Sequence, residues 1–290
     1  MVSKSFYRTL LALAFSLSLF SIHAFAIPLI GDDLASFSIL SGGYISYGAE
    51  TSVNGSIGAI SYITPGNLGP SSSLYLNTPS VTSGLAELLD AKSALNNMVA
   101  GALLSTTLSG NNTFTPGVYS ASDLTTAAGS LLTLDGNGEV NPYWVFNIVT
   151  YLSLGEATQI HIINAGSNSG VFWNTGGYAS LGANSSFLGT LLSSGYISEG
   201  AGASIPCGSA YSLSYVSVGA GATVGSGVCE SSGSWAGSIT SLSGSLDIIN
   251  GVAFSSIFSA VPEADTSAML LMGVSFMGLI ARRRKTLKLN

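Results

Sequence analysis

The sequence predicts a β-helix, a fold in which short strands coil around an apolar core. One ten-residue pattern occurs five times, as Tyr44–Val53, Tyr151–Ile160, Tyr178–Phe187, Tyr196–Ile205 and Tyr215–Val224. The last four copies begin at residues 151, 178, 196 and 215, so most of them are nearly twenty residues apart. Similarity at such a period is typical of a solenoid, in which each copy forms one coil stacked on the last.

The alternation inside each copy predicts which side chains face the core. Successive side chains of a strand point to opposite faces. Positions two and four are mostly apolar, as in Leu152 and Leu154, so we expect them to face inward and the Tyr and Ser at positions one and three to face outward. The closing apolar residue should return to the core. These closing residues are Val53, Ile160, Phe187, Ile205 and Val224.

A glycine at position five of every copy predicts a corner. We expect a positive φ there, because only glycine adopts that conformation without strain. The five corner glycines are Gly48, Gly155, Gly182, Gly200 and Gly219.

The first 26 residues have the three parts of a secretory signal peptide. Lys4 and Arg8 form a positive region, residues 10–20 are apolar, and Ala24-Phe25-Ala26 is a small-residue cleavage site. We therefore expect export, with residues 27–260 as the folded body and residues 261–290 as a separate tail.

The two cysteines agree with export. Cys207 and Cys229 each follow one of the last two repeats, in loops that stacked coils would bring together. In an oxidising compartment this favours one disulfide. A metal site is disfavoured because no companion histidines are present, and no cofactor is expected.

One helix is predicted within the body, over residues 82–106. Leucines and Val99 recur there at helical spacing, with Thr82 or Ser83 as the N-cap. A single helix in a β-solenoid must bury its apolar side, and the flank of the solenoid is the available surface.

The charge of the body restricts its partners. Residues 27–260 contain twelve acidic side chains against one basic side chain, Lys92, for a net charge near −11. Nucleic acid is excluded because its phosphates require Lys and Arg. A surface of Ser, Thr, Asn, Gly and Tyr suits a neutral, hydrated partner such as ice or polysaccharide.

Catalytic motifs are weak throughout the chain. The exported body would keep one histidine, His161, which we interpret as a strand residue because no nucleophile elbow accompanies it. Asp135-Gly-Asn-Gly-Glu139 begins like a calcium loop but lacks the later bidentate Glu, so we expect a hairpin turn. Glu156 and Glu199 lie in unrelated coils and do not form a catalytic carboxylate pair. We therefore predict that the protein is not an enzyme.

The outward tyrosines leave two interpretations open. A ladder of aromatic rings could stack against sugar rings, or the rings could pack beneath the helix or a loop, since an open ladder would be a sizeable apolar patch. The tyrosines concerned are Tyr151, Tyr178, Tyr196 and Tyr215.

Residues 30–250 resemble the microbial ice-binding protein family, also called the ice-binding-like adhesive domain. Four stretches match in order and spacing: residues 114–119 (FTPGVY), 132–138 (LTLDGNG), 144–148 (WVFNI) and 171–173 (VFW). The resemblance implies a discontinuous right-handed β-solenoid of triangular section with the helix along one side.

In similar ice-binding proteins one flat face carries a Thr-(Ala/Gly)-x-(Thr/Asn) pattern that orders water. The first position of the pattern is Ala in four copies here and Glu in one, and the last position is Thr only at Thr223. The resemblance implies a ligand-binding face formed by Ala183, Ser186, Ala201, Ser204, Ala220 and Thr223.

The tail resembles the PEP-CTERM sorting signal of Gram-negative bacteria. Pro262-Glu263 is followed by a 15-residue apolar run, residues 267–281, and by the cluster Arg282-Arg283-Arg284-Lys285. The run predicts a short transmembrane segment with its C-terminus inside. The resemblance implies processing by a sorting protease at the inner membrane and release to the cell surface or the exopolysaccharide matrix.

Two functions follow from these patterns. The first is a secreted, non-catalytic ice-binding protein of the antifreeze or recrystallisation-inhibiting type, which acts through a flat Ser/Ala/Thr face. The alternative is an adhesin of the cell surface or matrix that uses the same scaffold to bind polysaccharide or other cells.

Overall fold

The computed structural model describes residues 29–64, 72–139, 142–166 and 169–225, and the backbone of two short strands between residues 248 and 253. In these ranges the chain forms three faces of parallel strands, with one long helix lying alongside. The predicted fold class, a mainly β solenoid with one long helix, is confirmed.

The elements fall in four stretches of the chain. The first holds α1 (Asp32–Ala35), β1 (Phe37–Ser41), β2 (Tyr44–Tyr47), β3 (Ser52–Val53), β4 (Ser56–Ala59), β5 (Tyr62–Ile63), β6 (Ser73–Leu76) and α2 (Pro79–Asn96). The second holds β7 (Ala102–Leu103), β8 (Thr107–Leu108), β9 (Asn111–Phe114), β10 (Gly117–Ala121), β11 (Leu124–Thr126), β12 (Leu131–Asp135) and β13 (Tyr143–Ile148). The third holds β14 (Leu152–Ser153), β15 (Gln159–Ile163), β16 (Gly170–Thr175), β17 (Ala179–Leu181), β18 (Ser186–Ser193), β19 (Ile197–Glu199), β20 (Ser204–Ser212), β21 (Val216–Val218) and β22 (Thr223–Val224). The last holds β23 (Ile248–Ile249) and β24 (Val252–Ala253), an antiparallel pair.

Three faces surround the core. The first face has the order β6-β4-β1-β20-β18-β16-β13-β10-β7, and the second has the order β5-β2-β21-β19-β17-β14-β11-β8. The third face runs β3-β22-β20-β18-β15-β12-β9. Strands β18 and β20 are long enough to bend around a corner and belong to both the first and the third face.

The first coil in sequence stacks on the last one. Ile39 of β1 pairs with Ala210, Ile45 of β2 pairs with Val216, and Ser52 of β3 pairs with Thr223. The upstream repeat therefore occupies the position that a continuous solenoid would give to the next coil. This pairing makes the solenoid discontinuous, as the family resemblance implied.

Inward residues fill the interior as the alternation predicted. Positions two and four of the repeats are buried, as Leu152, Ala179 and Val216 show, except for Tyr47, which is half-buried, and all five closing residues are buried too. Trp173 and Phe146 stack in the core with ring centroids 3.9 Å apart. One inward position departs from the pattern, because Glu199 stands where the other repeats have an apolar or aromatic residue.

The helix α2 is shorter than predicted and begins earlier. It spans Pro79–Asn96, and its N-cap is Thr78, whose side chain accepts a hydrogen bond from the amide of Val81. The prediction of residues 82–106 was wrong at both ends. Residues 102–103 form β7 instead, because they pair with Tyr119 and Ser120 of β10. Tertiary strand pairing overrides the helical periodicity there.

The helix covers the first face through a second apolar cluster. Leu88 and Leu95 of α2 pack with Phe172 and Leu192, which point outward from the strands. Lys92 is buried in the same interface, where its Nζ donates to Asn174 Oδ1 at 2.7 Å and to the carbonyls of Thr175 and Leu192 at 2.8 and 3.1 Å. Burial lowers the pKa of Lys92 to about 8.

The corner glycines serve a different purpose from the one predicted. None of the five has a positive φ; the left-handed residues lie two positions later, at Glu50, Ala157, Asn184, Gly202 and Gly221. A Cβ on Gly200 would lie 2.6 Å from the backbone nitrogen of Ala183, and one on Gly48 would lie 2.4 Å from the nitrogen of Ala220. Glycine is required because adjacent coils approach too closely for a side chain.

The Asp135 turn is tight, as predicted, but it is not a hairpin. Strand β12 pairs in parallel with β9 and β15, and the chain passes from Asp135 to another face. The Asp135 carboxylate accepts hydrogen bonds from the Asn137 amide and the Asn164 side chain, and these bonds lower the pKa of Asp135.

Several predictions fall outside the described residues. These are the signal peptide, Cys229 and the apolar run 267–281 with its arginine cluster. Cys207 lies inside β20 rather than in a loop, is buried, and is not a free thiol, whereas its pairing with Cys229 stays a prediction. Among the described residues no helix is long and apolar enough to cross a membrane, so the transmembrane segment stays a prediction as well.

Candidate functional site

The second and third faces are not covered by the helix and are the candidate binding surfaces. Their outward side chains form columns, because parallel strands in register place equivalent residues one above another, about 4.8 Å apart. Four columns matter: two on the second face, one at the corner, and one on the third face.

The tyrosine column comprises Tyr44, Tyr151, Tyr178, Tyr196 and Tyr215 along one edge of the second face. In spatial order the rings stack with centroid separations of 5.0, 4.9, 5.1 and 4.9 Å and interplanar angles of at most 12°. The ring faces therefore cover one another, and the outer edges with their hydroxyls remain on the surface. At one end Tyr151 donates to Asp123 at 3.5 Å, and the Asp123 charge raises the pKa of Tyr151.

This arrangement bears on both earlier interpretations of the tyrosines. The helix packs on the first face, so the column does not lie beneath it. Tyr44 is 42% exposed and the other four are half-buried. Face-on stacking of a sugar would be confined to the ends of the column, and sugar binding stays a prediction.

Buried hydroxyls hold the chain just before these tyrosines. Ser193 donates to the carbonyl of Gly177, which precedes Tyr178, and Ser212 donates to the carbonyl of Gly195, which precedes Tyr196. Ser41 does the same for Ser214, which precedes Tyr215. All three serines are fully buried. The sequence offered no obvious signal for them, since a serine in a strand is usually read as exposed.

A hydroxyl column runs beside the tyrosine column on the second face. It contains Thr107, Thr125, Ser153, Ser180, Ser198, Ser217 and Ser46, in spatial order. The outward positions of the second-face strands carry no charged side chain. The face is therefore neutral, hydroxylated and strictly periodic.

The candidate residues from the family motif form the corner and the edge of the third face. Ala201 and Ala220 are exposed at the corner, and Ala183 is half-buried beside them. The hydroxyl residues of the same motif copies, Ser186, Ser204, Thr223 and Ser52, are in register on the third face. The structure therefore brings all six predicted residues into two parallel columns, one of methyl groups and one of hydroxyl groups. The methyl column is broken at Glu156.

Sequence reasoning missed an ionisable group inside the solenoid. Glu199 is buried and neither of its carboxylate oxygens has a hydrogen-bond partner, and the hydroxyl of Tyr47 is likewise buried and unpartnered. Desolvation raises the pKa of Glu199 to about 8, and the pKa of Tyr47 is raised by burial and by Glu199. Its inward position in the repeat pattern could have revealed Glu199.

The residues weighed for catalysis are dispersed. His161 lies on the outer side of β15 and contacts Gln159 at 3.1 Å, which confirms its place in a surface strand. Glu156 is exposed at the corner, whereas Glu199 is inside. Within the ranges that the structure describes, no group of three or more His, Cys, Asp or Glu residues is placed to hold a metal ion.

Comparison with known proteins agrees with this architecture. The Ice-binding-like family model matches residues 37–223, and the PEP-CTERM protein-sorting motif matches residues 260–285. An ice-binding protein of Nostoc sp. (strain HG1) is 38% identical over 101 residues, which cover 35% of this chain and 37% of that protein. Ice-binding protein 1 of Shewanella frigidimarina is 34% identical over 98 residues, covering 33% of this chain and 11% of that protein. The match thus spans little more than a third of these curated relatives at most.

Solved structures match over a larger part of the chain. The crystal structure of an ice-binding protein from the Antarctic ascomycete Antarctomyces psychrotrophicus has a TM-score of 0.61 and 30% identity, and the match covers 69% of this chain and 97% of that one. The Shewanella frigidimarina ice-binding domain has a TM-score of 0.59 at 23% identity, over 69% of this chain and 97% of that one, which supports the fold. With its family-model match over more than half of its length, this chain belongs to the Ice-binding-like family and ends in a PEP-CTERM sorting motif.

Proposed function

We propose that the protein is a secreted, non-catalytic ice-binding protein that slows the growth and recrystallisation of ice. The observation that carries this proposal is the pair of parallel columns, one of methyl groups at the corner (Ala201 and Ala220) and one of hydroxyl groups on the third face (Ser204 and Thr223), in consecutive coils. The two relatives named above and both structural neighbours are ice-binding proteins.

The physical argument concerns water held in a regular array. Strand spacing repeats each hydroxyl about every 4.8 Å. The neighbouring methyl groups form no hydrogen bonds, so water at this surface bonds to the hydroxyls and to other water molecules. A rigid surface of this kind orders its first water layer before contact with ice, so less entropy is lost on binding. Because the columns carry one charge, Glu156, the layer is little disturbed by ions.

Ice-recrystallisation inhibition and thermal hysteresis of the purified protein test this proposal. Ser204→Tyr places a bulky ring in the middle of the third-face column and should abolish most of the activity. Ser198→Tyr places the same ring on the second face and serves as the matched control, which should remain active. A parent protein with neither activity would contradict the proposal, and loss in the control alone would assign ice binding to the second face.

A gain-of-function variant sharpens the result. Ala201→Thr with Ala220→Thr restores the leading threonine in two adjacent copies without changing the buried side of the turn. We expect stronger inhibition of recrystallisation, because each change adds a hydroxyl to the methyl column. An inactive parent with an active variant would mean that the solenoid can support ice binding and that its surface in the natural sequence binds another ligand.

The sorting motif favours a second function, an adhesin of the cell surface or exopolysaccharide matrix. In this proposal a sorting protease processes the tail at the inner membrane of a Gram-negative bacterium, and the solenoid is displayed outside. Deletion of the coding sequence should reduce surface attachment and biofilm mass. Unchanged attachment in the deletion strain would speak against this function, and a chain lacking residues 262–285 should stay away from the surface.

A further inference from the structure

We infer that the tyrosine column and the hydroxyl column of the second face form a docking strip for a neutral, linear, β-linked polysaccharide that lies along the solenoid axis. This inference names the site and the ligand class that the adhesin would use, and so it rests on the second proposed function. The strip is separate from the two columns assigned to ice, which lie at the corner and on the third face.

The strip presents two parallel rows of hydrogen-bonding groups. One row is the phenol edges of Tyr151, Tyr178, Tyr196, Tyr215 and Tyr44, with ring centroids 4.9 to 5.1 Å apart. The other row consists of serine and threonine hydroxyls in strict register with one another. Hydroxyls both donate and accept, as do the hydroxyls of a sugar.

The strip is held rigid from below. The serine hydroxyls of residues 193, 212 and 41 fix the carbonyls immediately before three of the tyrosines, and the ring stacking restrains the side chains themselves. A rigid array loses little conformational freedom on binding, so each weak hydrogen bond contributes more to affinity. Five coupled hydroxyl contacts along one polymer also benefit from multivalency.

Charge and spacing select the ligand. The outward positions of the second-face strands are uncharged, and Asp123 at the end of the strip disfavours an acidic polymer. An extended β-linked glycan advances by about one strand spacing with each sugar residue, so each coil can meet one sugar. A polysaccharide presents hydroxyls with this period along its whole length.

Two paired variants test the strip. Tyr178→Phe with Tyr196→Phe keeps the rings and their stacking but removes two central hydroxyls. Ser204→Ala is the control, since it removes a hydroxyl of the third face. The probes are microcrystalline cellulose and chitin, with bound protein measured by depletion from solution. We expect the parent and the control to bind, and the double variant to bind about ten- to hundredfold more weakly, because each of the two lost hydrogen bonds costs about three- to tenfold.

The outcomes separate this inference from the function on which it rests. A parent that binds neither probe, or a double variant that binds as well as the parent, overturns the docking strip. If attachment of cells still depends on the protein in that case, the adhesin function stands and uses another surface. Ice-recrystallisation inhibition by the double variant should equal that of the parent, and circular dichroism should show the same folded spectrum.

Discussion

The first and second faces are built from the same coils, yet their outward residues differ in kind. Outward positions under the helix are Val145, Phe172 and Leu192, which are large, varied and buried. Outward positions on the second face are Ser153, Ser180 and Ser198, which repeat one chemical group. A face that packs against one particular helix needs shapes that fit it, whereas a face that meets a periodic ligand needs the same group in every coil.

The largest difference between the two faces is expected when one outward side chain on each face of the same coil is truncated to alanine. Phe172→Ala should lower the free energy of unfolding by about 3–5 kcal/mol, because it leaves a cavity between the helix and the sheet. Ser180→Ala in the same coil should change it by less than about 0.5 kcal/mol, as is usual for surface positions. Urea unfolding measures both, and equal effects would show that the helix does not stabilise the first face.

The corners provide the next test, since two glycines there serve different purposes. Gly200→Ala should cost about 2–3 kcal/mol, because the new Cβ would lie 2.6 Å from the nitrogen of Ala183 and force the coils apart. Gly221→Asn should cost about 1 kcal/mol or less, since nothing lies within 4 Å of its Cβ position and Asn tolerates its φ of 68°. Thermal unfolding measures both losses of stability. If φ rather than the close approach of coils made glycine necessary at the corners, Gly221→Asn would be the more destabilising of the two.

A smaller effect on the free energy of unfolding is expected from replacing Glu199, which lies beneath the second face. Burial raises its pKa from 4.5 to about 8, so the folded state binds more protons than the unfolded state between these values. This contribution to stability is complete below pH 4.5 and is lost as the pH rises through 8. Glu199→Leu should raise the free energy of unfolding at pH 7 by about 1–2 kcal/mol, because an unpartnered polar group leaves the core.

Unfolding measured at several pH values checks this expectation. The advantage of the leucine variant should grow between pH 5 and pH 8. Lys92 contributes the opposite slope at higher pH, since its lowered pKa makes stability rise between about 8 and 10.5. An identical pH profile for the parent and the variant would show that Glu199 is not buried as a neutral acid.

The smallest expected effect concerns salt. The second-face strands have no outward charge, so polysaccharide binding should change by less than about twofold between 50 and 500 mM sodium chloride. Depletion assays at the two concentrations measure this directly. A strong loss of binding in salt would point to Asp123 or Glu156 as the real contact.

Some errors in the sequence-based interpretation share one cause. The apolar residues of 97–106 do recur at helical spacing, but this segment is not helical because β7 pairs with β10. The corner glycines were predicted to be needed for a positive φ, whereas they are needed because neighbouring coils leave no space for a side chain. Both errors concern contacts between segments distant in sequence, which periodicity within a segment does not report.

The sequence alone was sufficient to predict the solenoid coil. The ten-residue repeat determined which side chains point inward, and therefore the solenoid, because alternation along a strand is a local property. Only the tertiary structure decided that the first repeat stacks on the last, that the tyrosine rings cover one another, and that buried serines fix the turns before them. These depend on which coils become neighbours, and that choice is made by the packing of the whole chain.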